Sequence, residues 1–267
     1  MSQSEKRVFL IKRLLDEDRR YRGREVPADA YEQKRMLRSL MNIRRPQAID
    51  AEFLTVQDEY LRQEIEAAGV TRLTDLEPVC GDFYLWQGDI TRLRCGAIVN
   101  AANSGMTGCY VPCHACIDNC IHTFAGIQLR LDCAEIMERQ GHAEPAGGAK
   151  ITYAYNLPAR YVIHTVGPCV DGAPTARDRE LLASCYRSSL RLAGRHRLAS
   201  VAFPCISTGH GGFPAADAAR VALDAIRSTL RDWGGAEKDV DAPAAPRPKV
   251  VLVCHTEEGY EAYRALL

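Results

Sequence analysis

Three stretches near the start of the chain carry apolar residues at helical spacing. Val8, Ile11, Leu14 and Leu15 form one stripe, in "EKRVFLIKRLLDEDRRY". Tyr31, Met36, Leu37, Leu40 and Met41 form a second, in "PADAYEQKRMLRSLMNI", with Pro27 expected in the first turn. "IDAEFLTVQDEYLRQEIEAAG" predicts a third helix that stops at Gly69. Stripes this narrow need a surface, either one another in a small bundle or the domain that follows. From Cys80 the pattern changes. "DFYLWQGDI", "CGAIVNAAN", "YVIHTVGP", "SVAFPCISTGHGGFP" and "KVVLVCHT" each predict a strand. Between and after them, "CIHTFAGIQLRLDCAEIMERQG", "RELLASCYRSSLRLAGRH", "PAADAARVALDAIRSTLRDWG" and "EEGYEAYRALL" predict helices, the first a single helix of about five turns. Strand and helix alternate, which predicts a layered α/β sheet. "GGAEKDVDAPAAPRPK" reads as a surface loop before the last strand.

A chain of 267 residues, 46% hydrophobic and 25% charged, can bury a substantial core without covalent staples. Formal net charge is zero, so no overall field calls for nucleic acid or an anionic membrane. Charge is uneven along the N-terminal part. Met1–Arg45 holds thirteen Lys/Arg against seven Asp/Glu, and Pro46–Cys80 two against eight. We read these runs as solvated helix faces, with complementary internal surfaces as the alternative. The opening residues lack the apolar core of a signal peptide, and no apolar run approaches a membrane span. The expected compartment is a reducing cytoplasm, where eleven cysteines argue for metal or catalysis over disulfides.

Four of those cysteines crowd into "GCYVPCHACIDNC", Gly108–Cys120, around His114. A disulfide cluster, a redox centre, a metal site and chance in a packed helix are the four readings of that stretch. It follows "NAAN", one of three polar turns at strand ends, with "GDI" and "STGHGGF". In an open α/β sheet, ligands bind beyond the carboxyl ends of the strands. Gly209, Gly211 and Gly212 stand between a strand and a helix, where backbone N–H groups can approach a phosphate. The turn matches neither a Walker A loop nor a GxGxxG fingerprint.

Taken together, "QGDIT", "AIVNAAN", "GGAKIT", "YVIHTVGP" and "AFPCISTGHGGFP" resemble, in family order, the macrodomain, an ADP-ribose-binding fold. The likeness implies a three-layer α/β/α macrodomain with a mixed sheet over residues 81–267, preceded by a helical extension over 1–80. "GCYVPCHACIDNCIH" followed by "GIQLR" is similar to the zinc-containing branch of that family, some members of which are linked to sirtuin-type ADP-ribosyltransferases. The resemblance implies that Asp89 accepts from the adenine amino group, with Ile90 against the ring. It implies that Asn103 holds the distal ribose and that Ser207, Thr208, Gly209, His210, Gly211 and Gly212 wrap the pyrophosphate and ribose, with Phe213 near the distal ribose. Bland alternatives stand beside these: Asp89 as a helix cap, Asn103 as a turn residue and Phe213 as core.

For the metal, the family pattern points to Cys109, His114 and Cys116 holding Zn2+, with a fourth position open. The spacing is compatible, since His114 and Cys116 are two apart and can face one point, while Cys113 would face away. Cys120 and His122 are expected to start the helix and to pack. A structural four-thiolate site that uses Cys113 is the alternative; an iron–sulfur cluster fits none of the spacings. Asp118 is a candidate supporting partner or general base. The activity implied is a zinc-dependent hydrolase that removes mono-ADP-ribose from modified, acidic protein side chains. The alternatives are a non-catalytic ADP-ribose reader and an esterase of O-acyl-ADP-ribose.

Overall fold

The computed structural model describes residues 1–233 and 246–267. Most of the loop expected before the last strand, from Gly234, lies outside the described residues. The sheet runs β2-β3-β9-β8-β5-β7-β6. Its strands are β2 (Pro78–Cys80), β3 (Phe83–Gln87), β5 (Ala97–Ala101), β6 (Ala149–Tyr153), β7 (Tyr161–Thr165), β8 (Ser200–Pro204) and β9 (Lys249–Cys254). The inner five are parallel, and β2 and β6 run antiparallel at the two edges. A two-residue pair, β1 (Thr71–Arg72) with β4 (Leu93–Arg94), lies apart from the sheet. The sheet thus begins at Pro78, slightly ahead of the expected boundary at residue 81.

Both faces of the parallel strands are apolar, because helices cover both. Ala97 and Val99 of β5 and Val250 and Leu252 of β9 pack with α6 (Ala176–Arg195), α7 (Ala215–Arg231) and α8 (Glu257–Arg264). The alternate residues, Ile98, Val251 and Val253, pack with α4 (Ile117–Ala125) and α5 (Ile127–Gln140).

Where one helix of five turns was expected, the chain makes two. Gly126 breaks it at φ +103°, a conformation that L side chains rarely adopt. A Cβ there would also stand 2.6 Å from Gln128 Oε1 and 2.7 Å from Gln57 Nε2. The break redirects α5, and it lets Gln57 of α3 (Ala51–Ala68) accept from the Ile127 amide at 3.0 Å. α4 also starts earlier than expected, with Cys116 as its N-cap, so Cys120 and His122 lie inside it.

The extension is a three-helix unit of α1 (Gln3–Glu17), α2 (Ala30–Ile43) and α3, each opened by a side-chain cap from Ser2, Asp29 or Asp50. Pro27 lies ahead of α2, because Asp29 takes the cap. Of the stripes, Ile11, Leu14, Leu15, Leu37, Leu40 and Met41 are buried, joined by Leu10, whereas Val8 is half-buried and Tyr31 is 64% exposed. Both expected partners are used, since this core also takes in Ile127 of α5. The uneven charge is complementary and not merely solvated. Lys6 pairs with Glu59 at 2.9 Å, Lys34 with Glu64 at 2.7 Å, and Arg13 with Asp50. Arg44, itself buried, pairs with Glu17 at 2.7 Å.

Gly126→Ala should cost roughly 1–3 kcal/mol, the usual scale of strain for a non-glycine residue forced into this region. Urea unfolding should show a lower midpoint at unchanged slope; an unchanged midpoint would mean that α4 and α5 can adjust around the break.

Candidate functional site

Because β3, β9, β8, β5 and β7 are parallel, their carboxyl ends share one edge. That edge gathers Asp89 after β3, Asn103 after β5 and the Ser207–Phe213 turn after β8. Asp89 caps the short 3-10 turn Ile90–Arg92, with Oδ1 accepting from the Thr91 amide (2.9 Å) and hydroxyl (2.7 Å). Its second oxygen is left for a ligand, so the cap and the adenine contact are compatible. Ile90 is 4% exposed and packs in the core beneath α4 and α5, which leaves little of it to face a ring.

The glycine turn is shaped by its own hydrogen bonds. The Gly212 amide donates to Gly209 O (3.1 Å) and the Phe213 amide to Ser207 O (2.9 Å). Gly212 has φ +68°, and a Cβ there would meet Val170 O at 2.6 Å. The expectation for Gly212 therefore changes: its N–H closes the turn and does not point at an anion. Among the described residues the amides of Gly209, His210 and Gly211 donate to no protein backbone acceptor, and the first two residues are exposed. These three N–H groups, just ahead of the α7 N-terminus, suit a phosphate. Ser207 sits at φ +65°, with its hydroxyl buried and unpaired. The Thr208 hydroxyl donates to Cys205 O at 2.9 Å and holds the turn. Phe213 is 2% exposed and belongs to the core under α6 and α7, because its apolar ring gains more from burial there than at a polar rim.

The cysteine-rich loop brings three side chains together. Cys109 Sγ lies 3.5 Å from His114 Nδ1, and the ligand atoms of Cys109, His114 and Cys116 all fall within 4.8 Å of one another. A tetrahedral ion with bonds of about 2.0–2.3 Å spaces its donors about 3.5 Å apart, so this donor set fits a soft divalent metal. Burial, together with the neighbouring Cys109, pushes the Cys116 thiol up to about 11. A bound cation offsets that and favours the thiolate. Cys113 is turned away at φ +53°, with its sulfur 3.2 Å from Ser39 Oγ and 3.5 Å from Arg35 O, both on α2. Cys120 lies inside α4, 3.4 Å from the Arg38 guanidinium. Four thiols therefore do not converge.

Asp118 lies beneath this loop and is 5% exposed. Its Oδ1 accepts from Asn100 Nδ2 (2.8 Å) and its Oδ2 from Asn103 Nδ2 (3.1 Å). Burial raises its carboxyl above the ordinary value, and the two amides and Arg130 partly counter that. Asn103 spends its second amide hydrogen on Gly108 O (3.1 Å), and its Oδ1 accepts from the Gly105 amide (2.9 Å). It can still accept from a ribose hydroxyl through the remaining lone pair of that oxygen. Asp118 is thus the brace for Asn103, which its burial suits better than a base's task.

Sequence reasoning missed Asn100, Asn119, Cys133 and His164; His122, expected to pack, is buried in α4. His122, Cys133 and His164 also bring ligand atoms within 4.8 Å. His164 is committed on both sides, to Asn100 (3.1 Å) and to Thr152 (2.9 Å), and burial lowers it to about 3. It fixes Asn100 from below. The available signal was a polar residue, Asn100 or His164, at the inward position of an apolar strand.

Comparison with known proteins agrees with this geometry. The macro domain family profile matches residues 99–222. A protein-ADP-ribose hydrolase of Treponema medium is 57% identical over 237 residues, covering 87% of this chain and 89% of that one. A protein-ADP-ribose hydrolase of Staphylococcus aureus (strain MSSA476) is 49% identical over 207 residues, 77% of each chain. The crystal structure of a Trypanosoma brucei macrodomain in complex with ADP-ribose superposes with a TM-score of 0.63 at 29% identity, covering 86% of this chain and 94% of the other. The chain is a member of the macro domain family, with an N-terminal helical extension.

Gly209 is open on the Cβ side, with nothing within 4 Å, so a side chain there meets no protein atom. Gly209→Glu should stay folded and place a negative charge among the exposed amides. Calorimetry should show ADP-ribose binding weakened tenfold or more, about 1.4 kcal/mol. Unchanged affinity in the folded variant would put the diphosphate elsewhere.

Proposed function

We propose that the protein is a protein-ADP-ribose hydrolase that uses zinc and removes ADP-ribose from acidic side chains. The convergence of Cys109, His114 and Cys116 beside Asn103 carries this reading. A module that only reads ADP-ribose has no need of a soft-metal donor set at the ribose end of its cleft. The hydrolase names of relatives that share most of this chain's length support it.

The geometry supports the following roles. The amides of Gly209, His210 and Gly211 hold the diphosphate, and the free oxygen of Asp89 accepts from the adenine amino group. The Oδ1 of Asn103 accepts from a hydroxyl of the distal ribose and sets the anomeric carbon toward the loop. Asp118 keeps that amide in one orientation, through a carboxylate that accepts one hydrogen bond on each oxygen, from Asn100 and from Asn103. Cys109, His114 and Cys116 would hold Zn2+, which supplies a Lewis acid at the ribose end. The net reaction adds water across the ester: the side chain leaves as a carboxylic acid and ADP-ribose keeps a hydroxyl. Retention of two thiolate ligands calls for a reducing compartment such as the cytoplasm. A target modified by a sirtuin-type transferase is the partner implied by the sequence resemblance.

Two experiments test this. With Co2+ in place of Zn2+, Cys116→Ser should lose the thiolate charge-transfer band and Cys113→Ser should keep it. The reverse pattern would put Cys113 in the place of Cys116, and loss of the band in both variants would reinstate the four-thiolate site. Asn103→Ala should lower single-turnover hydrolysis of a glutamate-linked substrate about a hundredfold, roughly 2.7 kcal/mol, while ADP-ribose affinity changes a few-fold. Equal losses would leave Asn103 a binding residue only. Absence of turnover by the metal-loaded parent on modified protein would leave the reader, or an O-acyl-ADP-ribose esterase if that substrate is cleaved.

A further inference from the structure

The loop that carries the three ligands is held from outside the macrodomain, by α2 of the extension. Arg38 donates through one nitrogen to the carbonyl of His114, itself a ligand residue, at 2.7 Å. The same nitrogen reaches Asn119 Oδ1 at 2.9 Å. Asn119 is fully buried in α4, and its amide donates to the carbonyls of Val111 (2.9 Å) and Cys109 (3.4 Å). One guanidinium thus fixes the backbone at His114 directly and at Cys109 through Asn119. One turn further along α2, Asn42 is 1% exposed. Its Oδ1 accepts from the Cys113 amide at 2.9 Å, and its Nδ2 donates to Thr123 of α4 at 2.9 Å.

These contacts bear on which side chains face the site. Cys113 adjoins His114 and is the nearest rival thiol. Its φ of +53° is an uncommon state for a non-glycine residue, and something must hold it there. Asn42 grips its amide, and Ser39 and Arg35 O receive its sulfur, all from α2. With Cys113 drawn toward the extension, His114 is turned the other way, toward Cys109.

We propose that Arg38 and Asn42 are positioning residues of the metal loop, and that the extension selects the ligand set by presenting His114 and withholding Cys113. This rests on the reading of Cys109, His114 and Cys116 as ligands. It gives the extension a part in the chemistry of a domain it precedes in sequence. A loop of this length, held only at its ends, samples many conformations. Hydrogen bonds from two helices narrow that ensemble before a metal arrives and lower the cost of ordering it.

The test uses the full chain and compares Arg38→Ala, Arg38→Lys, Asn42→Ala and a control, Arg13→Ala. The control removes an ion pair of the extension that touches no residue of the loop. Zinc-loaded protein is mixed with excess chromophoric chelator. Arg38→Ala and Asn42→Ala should release metal tenfold or more faster than the parent, Arg38→Lys should fall between, and Arg13→Ala should match the parent. ADP-ribose affinity should stay within threefold throughout. A second readout needs no metal: iodoacetamide labelling of each loop cysteine in stripped protein, followed by mass spectrometry. Asn42→Ala should label at Cys113 at least tenfold faster than the parent. Release at the parent rate by both alanine variants overturns the proposal and leaves the metal centre standing. Equally fast release from Arg13→Ala also overturns it, since general loosening would then suffice. If the parent holds no stoichiometric zinc, the metal reading fails by itself and labelling decides. Faster labelling of Cys113 then supports the hold of α2 on the loop, and unchanged labelling overturns it.

Discussion

A carboxylate buried beneath the end of β5 organises the site. Burying Asp118 without partners would be costly, and the chain meets that cost with two asparagine amides, one on each oxygen. Each donor then becomes a fixed point. Asn100 is locked from below by His164, whose other nitrogen is occupied by Thr152. Asn103 is locked from above, since its second amide hydrogen goes to Gly108 at the start of the cysteine-rich loop. Core, the turn after β5 and the cysteine-rich loop are therefore tied through one side chain. The arrangement also explains the closeness of Gly108 to α4: a Cβ on it would stand 2.7 Å from the His122 ring, so only glycine lets the loop approach that helix.

The architecture was legible in sequence because its period was clear. Apolar strands and amphipathic helices alternate from Cys80 on, and each turn at the carboxyl edge carries polar residues in family order. Short or irregular elements were less visible. β1, β2 and β4 have two or three residues each, too few for a hydrophobic period to show. The break at Gly126 was hidden because apolar spacing continues across it, and the reason for it lies in Gln57, some seventy residues earlier in the chain. Periodicity also overreached at Tyr31, which falls on the stripe but lies 64% exposed, beside Arg35 and away from the bundle core.

At the site, residue types were more legible than their tasks. Cys109, His114 and Cys116 do approach one another, and the turn after β8 does expose amides. Hydrogen-bond direction was not legible. Gly212 and His210 lie two apart in the same turn, yet one amide closes the turn and the other does not. Asn103 was expected to hold a ribose, but both hydrogens of its amide are committed inside the protein, which leaves only its oxygen for that task. Such assignments depend on where carbonyls from distant segments fall, and one-dimensional spacing carries no information about that. Asn42 and Arg38 were invisible for the same reason, being separated from the loop they hold by about seventy residues of sequence.

The charge pattern of the extension bears on the same question. Read along the chain, basic and then acidic runs look like solvated faces. In three dimensions they are joined by Lys6–Glu59, Lys34–Glu64 and Arg13–Asp50. Each keeps one partner exposed to solvent, so it adds little stability and its worth lies in register. A further pair, Arg44–Glu17, lies within the basic run; Arg44 is buried, and the pair fixes the C-terminal end of α2 against α1. The carbonyls around that end, those of Met41, Asn42 and Arg44, accept from the buried guanidinium of Arg130 in α5. Arg130 in turn lies 4.3 Å from the Tyr110 ring and reaches the Cys109 carbonyl at 3.4 Å. Two arginines of opposite origin, Arg44 in the extension and Arg130 in the macrodomain, therefore clamp one end of one helix. That end carries Asn42. The bundle's ion pairs, weak one by one, set the helix from which the cysteine-rich loop is gripped.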